Sequence, residues 1–248
     1  MDADIKQQLN TLRLPKLAET WSQVLAMANR QKVSYQRFLE DIIREEYQHL
    51  QENRRLARLK AAKIPERLPM ETFPFEAQPK LRKKMVMGMY DSLDYIQQAQ
   101  VLCLIGPTGC GKTGLATAYL MNALDKGYRG RFIDFRELVR LLHQSQADYS
   151  QHKILRHLAA YDCLLIDELG YCPMAKDEAG MFFDLMKQRH RKKCTIITTQ
   201  LGFDEWNGFL NNKHLTMALV DRITENCTVF DMQKCISIRK KNIKLAAE

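Results

Sequence analysis

Apolar residues recur at three- and four-residue steps through Leu14, Leu17, Trp21, Val24, Leu25 and Ala28, which predicts a helix entered near Pro15, where proline's fixed φ suits a first turn. A longer pattern, Tyr35, Phe38, Leu39, Ile42, Ile43, Tyr47 and Leu50, follows Ser34, a residue type that caps helix N-termini, and runs on into the basic segment 53–60. The two helices should pair as a hairpin. Pro65, Pro69, Pro74 and Pro79 then punctuate a stretch without periodicity, which reads as a linker after a small all-helical domain, residues 1–65. One more helix is expected from Leu81 to Tyr95, its methionines Met85 and Met89 serving as core filler.

From residue 100 onward the pattern changes to short apolar runs separated by helical periods. Val101–Ile105, Arg131–Phe135, Asp162–Glu168, Cys194–Gln200 and Cys227–Phe230 read as strands. Between them, helices are expected over residues 112–127, 137–144, 179–188 and 215–225. Five strands alternating with helices make residues 66–248 an α/β domain with a mainly parallel sheet covered on both faces. Ligands of such sheets bind beyond the strands' C-terminal ends.

Candidate chemistry stands at three of those ends. After the first strand, Gly106, Pro107, Thr108, Gly109, Cys110, Gly111, Lys112 and Thr113 fit the phosphate loop G-x-x-x-x-G-K-[ST] at every defined position, with Gly114 following. The glycines let successive N–H groups converge on one anion, and the helix starting near Lys112 adds its partial positive charge. Lys112 is placed to reach the β- and γ-phosphates and Thr113 to ligate Mg2+. A glycine-rich turn with an exposed lysine would also match, but it would not require a strand before and a helix after.

The third strand ends in Asp167 and Glu168, the pattern of a Walker B segment, with Asp167 placed for the metal ion and Glu168 to polarise the attacking water. Such an acid suits hydrolysis, whereas a small-molecule kinase must keep water from its phosphate. Gln200, at the end of the fourth strand, stands where a γ-phosphate sensor would. Asn212-Lys213 is followed by His214-Leu215, so the guanine-reading N-K-x-D motif is absent and ATP is the expected nucleotide.

Composition changes the picture in two ways. A formal charge of +9 is concentrated in Arg54, Arg55, Arg58, Lys60 and Lys63, in Lys80 with Arg82 to Lys84, and in Lys187 to Lys193, which points to nucleic acid. Arg54, Arg55 and Arg58, with Lys60 beside them, are the candidate contacts to a DNA backbone, although a solvated helix face explains them equally well. The seven cysteines contain no C-x-x-C pair and the six histidines make no zinc spacing with them, so a reducing, cytoplasmic setting without zinc is expected. No apolar run approaches the roughly 20 residues of a membrane span.

The phosphate loop, Leu164 to Tyr171 with Pro173, Thr195 to Gln200, and Leu219-Val220-Asp221-Arg222 together resemble the IstB-like transposition helper ATPases, which belong with the DnaC-type helicase loaders in the AAA+ class. The resemblance extends upstream through Glu52 to Leu59 and Leu12 to Glu19, and so covers nearly the whole chain. It implies a P-loop NTPase of AAA+ type that assembles as a homo-oligomer on duplex DNA. It also implies Mg-dependent, DNA-stimulated ATP hydrolysis, and assistance to the transposase of an insertion sequence in target selection. Carried over by position, it makes Arg222 the arginine finger for a neighbouring subunit and Arg239 a weaker sensor candidate. Gln200 departs from the asparagine usual at the sensor position, and the stretch 208–214 is longer than the family pattern, which leaves its role unassigned.

A DnaC-like helicase loader is the nearest alternative, because it shares the ATPase core. A small-molecule phosphotransferase and an ATP-gated DNA clamp with negligible turnover are the others.

Overall fold

In a computed structural model that describes residues 3–78 and 80–238, the chain divides into two compact units, Met1–Ala57 and Arg58–Glu248. Pro79 and the sensor candidate Arg239 lie outside the described residues.

The first unit holds α1 (Ala3–Thr11), α2 (Pro15–Gln31) and most of α3 (Tyr35–Ala61). As the pattern predicts, Pro15 opens α2 and Ser34 Oγ accepts the Arg37 N–H at 3.3 Å at the start of α3. The residue before α2, Leu14, has no side chain that can cap it. Instead the largely buried Glu46 of α3 accepts the Leu17 N–H at 2.9 Å, placing a negative charge at the positive end of α2 and tying the two helices together. The apolar stripe of α3 is only partly used: Phe38 and Ile42 are half-buried, whereas Tyr35, Leu39, Ile43 and Tyr47 are exposed.

The second unit begins inside α3. Leu59 and Ala62 are buried in its core, and the Arg58 guanidinium donates to the Leu124 carbonyl at 2.8 Å. The stretch expected to be a bare linker folds as two single 3-10 turns, Met70–Thr72 and Phe75–Ala77, with Met70 buried. The helix expected over 81–95 is broken in two, α4 (Lys83–Ser92) and α5 (Asp94–Gln97), because Leu93 takes a left-handed φ of 59° and Ser92 Oγ caps the Asp94 N–H. Of its methionines, Met89 packs against the core but Met85 is exposed.

Five strands follow, β1 (Val101–Ile105), β2 (Gly130–Asp134), β3 (Cys163–Leu169), β4 (Cys194–Thr199) and β5 (Cys227–Asp231), all parallel, in the order β2-β3-β4-β1-β5. Period-two alternation splits the strand side chains between two cores. Leu102, Leu104, Leu165 and Ile196 pack on the face covered by α4, α5 and α6 (Lys112–Asp125). Cys103, Ile105, Ile166 and Ile197 pack on the other face, beneath α7 (Phe135–Ala147), α8 (Gln151–Ala159), α9 (Lys176–Arg189), α10 (Asn207–Leu210) and α11 (Lys213–Thr224). The stretch 208–214 is structural: Phe209 and Leu210 are buried, Asn211 ends α10 at φ 51°, and Asn212 caps α11 by accepting the Leu215 N–H at 3.0 Å.

One basic cluster has a structural use. Arg189 is only 1% exposed, and its guanidinium donates to the carbonyls of Leu158, Ala159, Tyr161 and Cys194 and to Thr195 Oγ1. Burial lowers its pKa to about 10. Arg189 therefore closes the N-terminal edge of the sheet and is not available to a polyanion.

Candidate functional site: a phosphate loop facing two acids

β1 delivers the phosphate loop, and the loop is held tightly at both ends. A Cβ on Gly106 would lie 2.7 Å from the Met232 backbone, so only glycine fits where β1 leaves the sheet. Gly111 caps α6 at φ 96°. Lys112, 9% exposed, donates through Nζ to the carbonyls of Gly106 at 2.7 Å and Pro107 at 2.8 Å, which holds the ammonium within the curve of the loop.

β3 brings up the acids. Ile166 pairs with Ile197 and Leu169 with Thr199, so two residues of β3, Asp167 and Glu168, stand opposite the single residue Thr198 of β4. This β-bulge carries Glu168 at φ 56°. In a regular strand the two acids would point to opposite faces; here both line one cavity of about 760 Å³ together with Gly109, Gly111, Lys112 and Thr113.

Thr198 joins the acids. Its hydroxyl accepts the Glu168 N–H at 3.0 Å and donates to Asp167 Oδ1. On the other side Thr113 Oγ1 donates to Asp167 at 3.0 and 3.2 Å, so the phosphate-loop hydroxyl and the Walker B aspartate share one point. Burial raises the Asp167 pKa, assisted by the charges of Glu168 and Asp134 and opposed by the Thr198 and Thr113 hydrogen bonds. A buried carboxylate beside a hydroxyl is a hard-oxygen donor set that suits Mg2+.

Glu168 is more open, and its carboxylate lies 3.7 Å from the Arg136 guanidinium, which also sits 4.1 Å from the Tyr171 ring centre. Gln200 lines the same cavity, immediately after β4. So do Leu68, Pro69 and Phe73 of the supposed linker.

The structure does not bring every candidate together. Arg222 lies near the C-terminal end of α11, just before β5 begins, and the first residue of β5 pairs with Val101, the start of β1. That is the edge of the sheet opposite the phosphate loop, which follows the end of β1. There Arg222 donates to the Ala218 carbonyl at 3.0 Å and lies 4.7 Å from the Phe183 ring centre. Among the candidate DNA contacts, Arg54 and Lys60 are exposed, Arg55 pairs with Glu52 at 3.0 Å, and Arg58 is held by Leu124.

Thr198, Arg136 and Phe73 escaped the sequence reading. Thr198 had a signal, a hydroxyl one residue from the end of a buried strand. Arg136 had none, because only the strand order puts the end of β2 beside the end of β3.

The IstB-like ATP binding protein family model matches residues 7–246. The ATP-binding protein of insertion sequence IS5376 from Geobacillus stearothermophilus is 28% identical over 98% of this chain and 97% of its own length. That of IS232 from Bacillus thuringiensis subsp. berliner is 30% identical over 90% of each. Among solved structures, the DnaC helicase loader superposes with a TM-score of 0.53 at 21% identity, covering 68% of this chain and 96% of that one. AMPPCP-bound DnaA from Aquifex aeolicus gives 0.56 at 16%, covering 70% and 53%. These two likenesses show the fold, a parallel sheet covered by helices with a phosphate loop after its first strand. With a family model spanning all but the chain's extremities, the protein belongs to the IstB-like ATP-binding proteins.

Proposed function

We propose that this protein is a Mg-dependent ATPase that self-associates on duplex DNA and assists the transposase of an insertion sequence. The observation that carries the catalytic part is the hydrogen-bonded chain Thr113–Asp167–Thr198–Glu168, which sets a metal-ligand pair and a potential base side by side at the mouth of a phosphate loop.

When bound, Mg2+ would supply charge neutralisation at the phosphates, with Thr113 and Asp167 as its protein ligands. Lys112 exchanges its two carbonyl partners for the β- and γ-phosphates, a like-for-like trade of oxygen acceptors. The N–H groups of the loop and the start of α6 orient the phosphates. Glu168, raised to the cavity by the bulge, accepts a proton from the attacking water, and Gln200 fixes that water or the γ-phosphate. Arg222 cannot serve the site of its own chain from the opposite sheet edge, which supports a role at the site of a neighbouring subunit and hence an oligomer.

The DNA and transposase parts rest on two supports. The named relatives come from insertion sequences, and Arg54, Arg55, Arg58 and Lys60 form a basic run along α3. The test is ATP turnover of the wild type and Glu168→Gln, with and without duplex DNA. DNA-stimulated phosphate release that is lost in Glu168→Gln supports the proposal; phosphate release unaffected by Glu168→Gln removes Glu168 from it.

A further inference from the structure

The phosphate loop is braced from behind by a side chain that no motif includes. Gln78 is fully buried, and its amide makes three hydrogen bonds. Nε2 donates to the Cys110 carbonyl at 3.1 Å and to the Ile236 carbonyl at 2.6 Å, while Oε1 accepts the Ile236 N–H at 3.1 Å. All the amide's polar atoms are thus spent on two pieces of backbone: one in the phosphate loop, the other in the segment after β5.

That segment runs alongside the loop, and Ile238 reaches the cavity's lining. The Met232 N–H donates to the Ile105 carbonyl at 2.7 Å, and the Ile238 N–H donates to the Gly109 carbonyl at 3.0 Å. A Cβ placed on Gly111 would meet Ile238 at 3.2 Å and Phe73 at 2.9 Å.

The consequence follows from peptide planarity. In a trans peptide the carbonyl and the next residue's N–H point to opposite sides. Fixing the Cys110 carbonyl on Gln78 turns the Gly111 N–H the other way, and fixing the Gly109 carbonyl on Ile238 does the same for the Cys110 N–H. Two successive N–H groups of the loop are thereby oriented by the hydrogen bonds made by the carbonyls beside them. An unbraced loop of three glycines would have to order those planes at the moment of binding, with the loss of conformational freedom charged against affinity.

We infer that Gln78, clasped to Ile236, is a positioning residue that pre-orders the anion-binding N–H groups of the phosphate loop and makes nucleotide affinity depend on the segment after β5. This rests on the proposed nucleotide site, but it assigns a role to residues outside every motif of that site. Gln78 touches neither Glu168 nor Asp167, so the clasp acts on binding and leaves the chemical step alone.

The experiment measures the Kd of a fluorescent ATP analogue and the turnover at saturating ATP for wild type, Gln78→Met, Ile236→Pro and the double variant, all as full chains. Gln78→Met keeps the volume and removes the amide; Ile236→Pro removes the N–H that the amide accepts. The expected result is a Kd weakened about 10-fold in each single variant, turnover at saturation within about twofold of wild type, and a double variant little weaker than the worse single, since one clasp is being broken twice. Additive losses, an unchanged Kd, or a fall in saturated turnover at unchanged Kd would each overturn the clasp. If Gln78→Met does not fold, Ile236→Pro reads the same clasp from its other side, and the same Kd criterion decides. A wild-type chain that binds no ATP analogue would defeat the proposed function itself, a result distinct from any of these.

Discussion

At the scale of single residues, the site depends on hydroxyls as much as on the charged groups that motifs advertise. Thr198→Val keeps the shape of the strand but leaves the Glu168 N–H without its acceptor and Asp167 without one of its two hydroxyl donors. Turnover should fall about 10-fold with nucleotide binding preserved, as for other supports of a metal ligand. Binding and turnover both at wild-type levels would mean that Thr198 merely fills space. Glu168→Gln should retain ATP while turnover drops about 10²-fold or more. Lys112→Ala should lose tight ATP binding, because the ammonium already held in the loop has no substitute there; an unchanged Kd would contradict the phosphate-loop assignment. The charged members of this set were legible in the sequence, because the chemistry of phosphates and metal ions restricts which residues can serve. Gln78 was not, since a glutamine in a proline-rich stretch is ordinary until the fold supplies its partners, and Thr198 offered only a hydroxyl near the end of a buried strand.

At the scale of elements, the five strands and their parallel type followed from the apolar runs alternating with helices, while their order across the sheet and the irregularities within elements did not. Residues 81–95 have continuous helical spacing, yet Leu93 breaks the helix because Ser92 offers a local cap. The bulge in β3 is equally invisible in the pattern, although it is what turns both Asp167 and Glu168 toward one cavity. The basic run 187–193 looked uniform, but burial separates Arg189 from its neighbours. Arg189→Met should destabilise the fold by about 3 kcal/mol, since two buried and two half-buried carbonyls lose their donor. Chemical denaturation checks this, and a loss near zero would show that water replaces the guanidinium.

The same sheet edge carries a pH-dependent contact. Burial alone would raise the Asp162 pKa, but the Lys193 ammonium and the Arg129 N–H outweigh it, and the net shift is below the ordinary 3.8. A carboxylate depressed in the folded state stabilises the fold above its unfolded pKa and loses that contribution as pH falls through the folded value. Asp162→Asn should therefore be less stable than wild type near pH 7, with the difference shrinking below about pH 3.8. A difference constant from pH 7 to pH 3 would remove the ion pair from the account.

At the scale of the whole molecule, the proposed function divides between a cavity in the second unit and a basic run on α3, whose residues fall on both sides of the boundary between Ala57 and Arg58. Arg54→Ala with Arg55→Ala should weaken DNA binding and reduce the slope of log K against log salt by about two. An unchanged slope would point to another surface. Arg222, remote from the phosphate loop of its own chain, gives the account its demand for a second subunit. The central claim is tested most directly by ATP turnover against protein concentration, with and without duplex DNA and with Glu168→Gln as the blank. The account predicts turnover per chain that rises cooperatively with concentration, is stimulated by DNA and is absent from the blank. Turnover per chain that is constant with concentration and indifferent to DNA would contradict it, and would describe an enzyme whose single chain is complete.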